Sequence, residues 1–124
     1  MKTNKQNLTM LEKIALSYRG RIYQRNPRWK WTEKKDGSVV VDVEHKGVMA
    51  RIAQKLGDSA KVTHVSFDEY GSALWKAIDG TRTVAQIISK MEKEFPEVGD
   101  EMQERVVNHL RTLEVNKLIK IKRR

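Results

Sequence analysis

The stretch "FDEYGSALWKAIDGTRTVAQI", Phe67 to Ile87, contains two predicted helix starts and one helix stop, which set the positions of the elements around it. Asp68 suits an N-cap, and Asp79 with Gly80 ends the helix that begins there. An apolar stripe at helical spacing lies between these two ends: Tyr70, Leu74, Trp75 and Ile78. Because a Trp at this spacing is typical of a packed core, we interpret the stretch as scaffold.

Two further helices are predicted after this one. Thr83 and Gln86 form a capping box, and the helix that they start ends before Pro96. A third helix is predicted from about Asp100 to about Asn116, a residue that tolerates the left-handed conformation of a C-cap. The residues predicted to face inward on these two helices are Val84, Ile87, Ile88, Met91, Phe95, Met102, Val106, Leu110 and Leu113.

Strand patterns precede the opening stretch. The segment "WKWTEKKDGSVVVDVE" predicts a β-hairpin with Trp29 and Trp31 on one face, a turn at residues 36–37 and a second strand from Val39 to Val43. The segment "VMARIAQKLGD" then allows either a short helix or an ordered loop.

The segment "KVTHVSF" alternates and predicts a third strand. One face of this strand would carry Thr63, Val65 and Phe67, and the other would carry Val62, His64 and Ser66.

The two ends of the chain carry weaker signals. Thr9 and Glu12 form a capping box for a short helix that ends near Gly20. That helix is interpreted either as a segment that covers the core or as a docking helix for a partner. At the other end, "KLIKIKRR" allows a short last strand before a basic tip.

The composition favours one domain that folds without disulfides. The chain has 124 residues, which is enough for one core. It has no Cys, so it has no disulfide framework and no thiolate metal site. No apolar run approaches the roughly 20 residues of a membrane span, and no signal-peptide block is recognised. We therefore expect a soluble, cytoplasmic protein with no membrane association.

No group of residues has the spacing that catalysis or metal binding needs. His45, His64 and His109 lack metal-ligand spacing, and the Ser residues lack an evident base and orienting group. The adjacent acids Asp68 and Glu69 suit a helix N-terminus better than acid–base catalysis. The expectations are therefore no enzyme activity, no metal and no cofactor.

The charge lies at the ends of the chain. The net charge is +9, and residues 1–30 hold eight Lys or Arg against one acid, while residues 117–124 hold five bases and no acid. The 86 residues between them have a balance of −3. The predicted last helix carries four acids against Arg105 and Arg111, and phosphates would repel it. Three helices with a wing are also a DNA-reading architecture, and the total charge is basic, so a winged-helix nucleic-acid-binding protein is the alternative function. Because the last helix is acidic, no specific nucleic acid is expected as a partner.

The opening stretch, together with "VVNHLRTLEVNKLI" after it, resembles the PqqD family, coenzyme PQQ synthesis protein D and its relatives. The most specific part is the Asp-Gly-x-x-Thr-Val spacing from Asp79 to Val84, preceded by Gly71, Ser72 and Trp75. The likeness covers Arg25 to Ile121. It implies a RiPP recognition element, which binds the leader segment of a ribosomally synthesised precursor peptide and presents it to a radical SAM or other peptide-maturation enzyme.

The secondary-structure patterns and the family resemblance together predict an α+β fold. It is a three-stranded antiparallel sheet followed by three helices, similar to a winged helix-turn-helix. The predicted domains are a basic N-terminal extension with a possible short helix at residues 1–26, a PqqD-like peptide-recognition domain at residues 27–121, and a basic tail at residues 122–124. A purely structural subunit of a maturation complex stays a further possibility.

The predicted site combines the third strand with the last helix. An unpaired edge of the strand would accept the peptide as an added strand, and the helix would line the groove beside it, although Val106, Leu110 and Leu113 are equally suited to the core. Which backbone groups face the free side depends on the register, which the sequence does not determine. The predicted peptide-binding residues are Val62, Thr63, His64, Val65, Ser66, Arg105, Val106, His109, Leu110 and Leu113.

Overall fold

The computed structural model describes residues 9–44 and 62–122. The segment "VMARIAQKLGD" lies outside the described residues, and so does His45. By its internal contacts the chain forms two compact units. The first unit contains Met1–Asn26 and Leu74–Arg124, and the second contains Pro27–Ala73.

The described residues contain four α-helices and six strands, and the α+β class is confirmed. The strands form two three-stranded antiparallel sheets, of which the second unit's sheet is the predicted one. The likeness to a winged helix-turn-helix stays a prediction. In chain order the elements are α1 (Met10–Tyr18), β1 (Ile22–Arg25), β2 (Lys30–Glu33), β3 (Val39–Glu44), β4 (Val62–Ser66), α2 (Glu69–Ala77), β5 (Asp79–Thr83), α3 (Val84–Glu94), a 3₁₀ segment (Pro96–Glu101), α4 (Met102–Val115) and β6 (Ile119–Ile121).

The sheet of the second unit has the order β2-β3-β4. The predicted hairpin is confirmed: β2 pairs with β3, and Gly37 in the turn has a φ of 88°, which glycine adopts without steric cost. The predicted third strand is also confirmed, with Val41 opposite Val65. One face of the sheet is apolar, since Val39 and Val41 are fully buried and Trp31 and Val65 are half-buried.

The end of this sheet is joined to the first turn of α2 by the hydroxyl group of Ser72. Phe67 N–H donates to the carbonyl of Val39 (2.9 Å). Val39 N–H donates to Ser72 Oγ (2.8 Å), which lies 3.3 Å from the carbonyl of Phe67. Ser72 is buried, so these bonds satisfy polar groups that would otherwise be costly to bury. Asp68 caps the same helix by accepting from Gly71 N–H (2.7 Å), as predicted.

The sheet of the first unit has the order β5-β1-β6, and the sequence does not predict its central strand, β1, or β5. A buried tyrosine joins β1 to α4: Tyr23 Oη accepts from Arg21 Nη1 (3.0 Å) and donates to Glu114 Oε1 (3.0 Å). Burial raises the pKa of Tyr23 to about 12, with the hydrogen bond to Glu114 acting in the same direction and the hydrogen bond from Arg21 opposing it. The tyrosine therefore stays neutral and keeps its proton for this bond.

The core of the first unit is built from the faces that the sequence predicts. Trp75 and Ile78 are fully buried, and α3 packs against α4. The capping box of α3 at Thr83 and Gln86 and the capping box of α1 at Thr9 are both present, as predicted. In α1 only Ala15 is buried, and its exposed apolar residues are Met10, Leu11 and Leu16.

The end of α4 differs from the prediction by one residue. Asn116 has a φ of −85°, and the left-handed residue is Lys117, with a φ of 63°. Leu118 N–H donates to the carbonyl of Leu113 (2.9 Å), and Lys117 N–H donates to that of Glu114 (2.9 Å). These two bonds form a Schellman motif, in which glycine is the usual left-handed residue.

Lys117→Gly should raise the free energy of unfolding by up to about 1 kcal/mol, because an L-residue is strained in this conformation and glycine is not. The measurement is chemical denaturation of both proteins. Asn116→Gly is the control and should be destabilising, since its backbone has no left-handed φ and glycine has greater freedom in the unfolded chain. Equal losses in the two variants would contradict this account.

The turn that opens β5 depends on a carboxylate. Asp79 Oδ1 accepts from Thr81 N–H (2.9 Å), from Thr81 Oγ1 (2.9 Å) and from Arg82 N–H (3.0 Å). Desolvation raises the pKa of Asp79, but these bonds and the charge of Arg82 outweigh it and lower the pKa to about 2. Since the ordinary value is 3.8, the carboxylate stabilises the fold above that pH, and the contribution is lost as the pH falls through about 2.

Asp79→Asn should lower the melting temperature at neutral pH, and the difference from the parent should shrink as the pH falls from about 4 to about 2. Thermal melts across this range provide the measurement. A difference that stays constant over the range would show that the negative charge of Asp79 contributes nothing to stability.

Candidate functional site

The register decides which backbone groups of β4 face away from the sheet. In an antiparallel pair, residues that exchange hydrogen bonds alternate with residues that do not. Phe67 N–H donates to the carbonyl of Val39, so Thr63 and Val65, at even spacing from it, also face β3. The N–H and C=O groups of Val62, His64 and Ser66 therefore lie on the outer edge.

The neighbouring hairpin gives the same assignment independently. Lys34 N–H donates to the carbonyl of Ser38 (2.8 Å), so Val40 and Asp42, at even spacing from Ser38, face β2. The alternate residues of β3, Val41 among them, must then face β4. The hydrogen bonds at both ends of the sheet therefore give the same assignment of the inward-facing and outward-facing residues of β4.

The outer edge of β4 is a place where another strand can add. No strand within residues 9–44 and 62–122 pairs with this edge. Unpaired N–H and C=O groups in a row are a template for an incoming extended chain. Three residues with outward groups, Val62, His64 and Ser66, are enough for several main-chain hydrogen bonds.

A polar pair lies beside these outward groups. His64 Nδ1 is 2.5 Å from Asp42 Oδ1, and the two side chains are 70% and 36% exposed. The residues are opposite one another in the register and do not exchange main-chain bonds, the arrangement that brings side chains closest. Because an ionised carboxylate only accepts, Nδ1 carries the hydrogen, and Nε2 remains for a further contact.

The residues predicted on the last helix lie in the first unit, whereas β4 lies in the second. Val106 and Leu110 have no exposed surface, and Leu113 is 3% exposed, so these three are core residues. Arg105 is exposed, and His109 is half-buried. The grouping of strand and helix residues into one site stays a prediction.

Two shallow grooves in the first unit are lined by residues outside the predicted site. One, of about 420 Å³, follows the exposed face of α4 and is lined by Asn108, Arg111, Thr112, Val115 and Asn116. The other, of about 450 Å³, lies beside α3 and is lined by Arg19, Ala85, Gln86, Ser89, Lys90 and Lys93. Both are open to solvent.

Two residues of the second unit that matter for this edge were not identified as such from the sequence. Asp42 was one residue of a predicted strand, and only the register places it beside His64. Ser72 is one of the Ser residues that lack an evident catalytic base, and its hydroxyl group accepts from Val39 N–H and lies near the carbonyl of Phe67. The alternation of "VVVDVE" was the available signal, since it places the two acids of this segment on the same face of β3.

Within the part of the chain that the structure describes, no three acidic or histidine side chains are placed to hold a metal ion. Among the same residues, no helix has the length and apolar character to cross a membrane.

These features define a small α+β protein in which one edge of a sheet pairs with no other strand of the described residues. A family model described as coenzyme PQQ synthesis protein D (PqqD) matches residues 38–119, which is more than half of the chain. The protein therefore belongs to the PqqD family, as its sequence predicts. Proteins of this family are non-catalytic accessory proteins. Comparisons with curated proteins and with solved structures give no match.

Leu110→Ala should lower the free energy of unfolding by about 2 to 5 kcal/mol, because it leaves a cavity in a fully buried part of α4. Arg111→Ala, at the next and exposed position, is the control and should change stability by no more than about 0.5 kcal/mol. Denaturant titration measures both. Little loss in the Leu110 variant would mean that this side chain is available to line a groove.

Proposed function

We propose that this protein binds an extended segment of a ribosomally synthesised precursor peptide along the outer edge of β4 and presents it to a radical SAM or other peptide-maturation enzyme. The observation that carries the proposal is the row of outward backbone groups at Val62, His64 and Ser66. Membership of the PqqD family supports it, since that family takes part in making a coenzyme. Binding at the site of synthesis would place the protein in the cytoplasm.

Main-chain bonds alone do not account for tight binding. Each contributes about 0.5 to 1.5 kcal/mol net, whereas association and ordering of an extended chain cost at least several kcal/mol. Side chains beside the edge must add affinity. The nearest ones in the second unit are His64 and Ser66 on the polar face and Thr63 and Val65 on the other. The added strand would place alternate side chains against each set.

Proline substitutions on β4 separate folding from binding. Thr63→Pro removes an N–H that faces β3 and should lower the melting temperature. His64→Pro removes an N–H that faces outward, where edge strands tolerate proline, so it should leave the protein folded. Its affinity for peptide should fall about tenfold, since one lost hydrogen bond and the intruding ring together cost on the order of 1.4 kcal/mol.

The probe is a peptide selected from a displayed library of random sequences on the immobilised protein, and affinity is measured by calorimetric titration. His64→Ala controls for the loss of the imidazole, and Ser66→Pro tests a second outward position. Amide hydrogen exchange supplies a direct readout, because bound peptide should slow exchange at His64 and Ser66. If His64→Pro stays folded and binds as tightly as His64→Ala, the peptide does not add to this edge.

A duplex DNA of mixed sequence is the comparison ligand. The described helix α4 carries Glu104 and Glu114 against Arg105 and Arg111, so it supplies no excess of positive charge for a major groove. We expect only weak binding that disappears as the salt concentration rises. Tight, sequence-dependent binding of the duplex with no peptide selected would favour a nucleic-acid-binding function instead.

A further inference from the structure

A row of alternating charge crosses the polar face of the second unit's sheet. Lys30 on β2 lies opposite Asp42 on β3, and Asp42 lies opposite His64 on β4. Lys30 and His64 are exposed, and Asp42 is half-buried. The row thus runs from a cation through an anion to a side chain that becomes a cation when it is protonated.

The two ends of the row are not equivalent. Among the described strands, Asp42 has a basic residue opposite it on each side, whereas His64 has an opposite residue, Asp42, on one side only. Directly opposite residues in a sheet interact, with opposite charges favourable and like charges unfavourable. The next position in the row lies beyond the outer edge of β4, where an added strand would place a side chain beside His64.

We propose that the peptide bound at this edge carries Asp or Glu at the position beside His64, and that His64, held by Asp42, is the residue that selects it. This inference rests on the proposed function, because it needs a strand on the outer edge of β4. It adds to that function the class of side chain, acidic, that the peptide carries at one position.

The geometry of the His64–Asp42 pair supports this selection. With Nδ1 bonded to Asp42 at 2.5 Å, the imidazole is oriented by its neighbour and only Nε2 is left for a ligand. A carboxylate beside Nε2 receives a charge-assisted hydrogen bond when the ring is protonated. When the ring is protonated, a Lys or Arg in that place would meet a like charge, and the nearest acid, Asp42, already lies between two basic residues.

The test compares two peptides that differ at one residue. A selected peptide containing an acidic residue is paired with its Glu→Gln or Asp→Asn version, and both are titrated against the parent protein and its variants. The acidic peptide should bind the parent about two- to fivefold more tightly than the neutral one, the range expected for a pair of opposite charges across strands.

Two substitutions at His64 should move this preference in opposite directions. His64→Gln should abolish it, and His64→Lys should keep or increase it. Thr32→Lys is the matched control, because it adds the same charge on the same face of the sheet but on β2, away from the edge. A preference that grows equally in Thr32→Lys and His64→Lys would mean that general attraction explains it.

The outcomes distinguish this inference from the function on which it rests. If peptides bind, His64→Pro weakens them, and the acidic and neutral peptides bind the parent equally, the strand addition stands and the role of His64 as selector is wrong. If the acidic residue matters but His64→Gln leaves the preference unchanged, another residue recognises it and the inference is overturned. If no peptide binds, both are wrong.

Discussion

The hydrogen bonds at Val39, Phe67 and Ser72 are the constraint on which the second unit depends. Phe67 N–H donates to Val39, and Val39 N–H donates to the hydroxyl group of Ser72 in the first turn of α2. Because a strand has a period of two, this one contact determines the direction of every backbone group in β4. A shift by one residue would exchange the inner and outer edges and would also turn Val65 to the polar face.

The same register brings together residues that are far apart in sequence. It places His64 opposite Asp42 and Asp42 opposite Lys30, so the polar face of the sheet carries an ordered row of charges. The row ends at the edge of β4 that no strand of residues 9–44 or 62–122 pairs with. In the proposed function, the backbone groups that would hold an extended chain and the side chain that would select among such chains are therefore adjacent on one strand.

Contacts in the first unit also satisfy the ends of its helices. Arg25 Nη1 donates to the carbonyl of Trp75 (3.0 Å), and Arg82 Nη1 lies 3.3 Å from that of Ala77, so two cations meet the C-terminal end of α2, where the helix dipole favours positive charge. Burial lowers the pKa of Arg25, partly offset by Asp79, but an arginine keeps its charge. These contacts and the Schellman motif at Lys117 satisfy carbonyl groups at the C-terminal ends of α2 and α4.

The sequence by itself determined the helices, the hairpin, β4 and the family, because capping boxes, the Asp-Gly turns and the two periodicities are local signals that act through neighbouring residues. The tertiary structure decided the features that depend on contacts with residues far away in the sequence. β5 is a short polar strand that exists because β1 pairs with it, and the amphipathic pattern of α4 is the same whether Leu110 lines a groove or, as here, fills the core. The left-handed residue is Lys117, since Leu118 must reach back to Leu113. Above all, the free side of β4 follows from pairing with β3, because a strand's own sequence specifies two faces but leaves open which edge meets a neighbour.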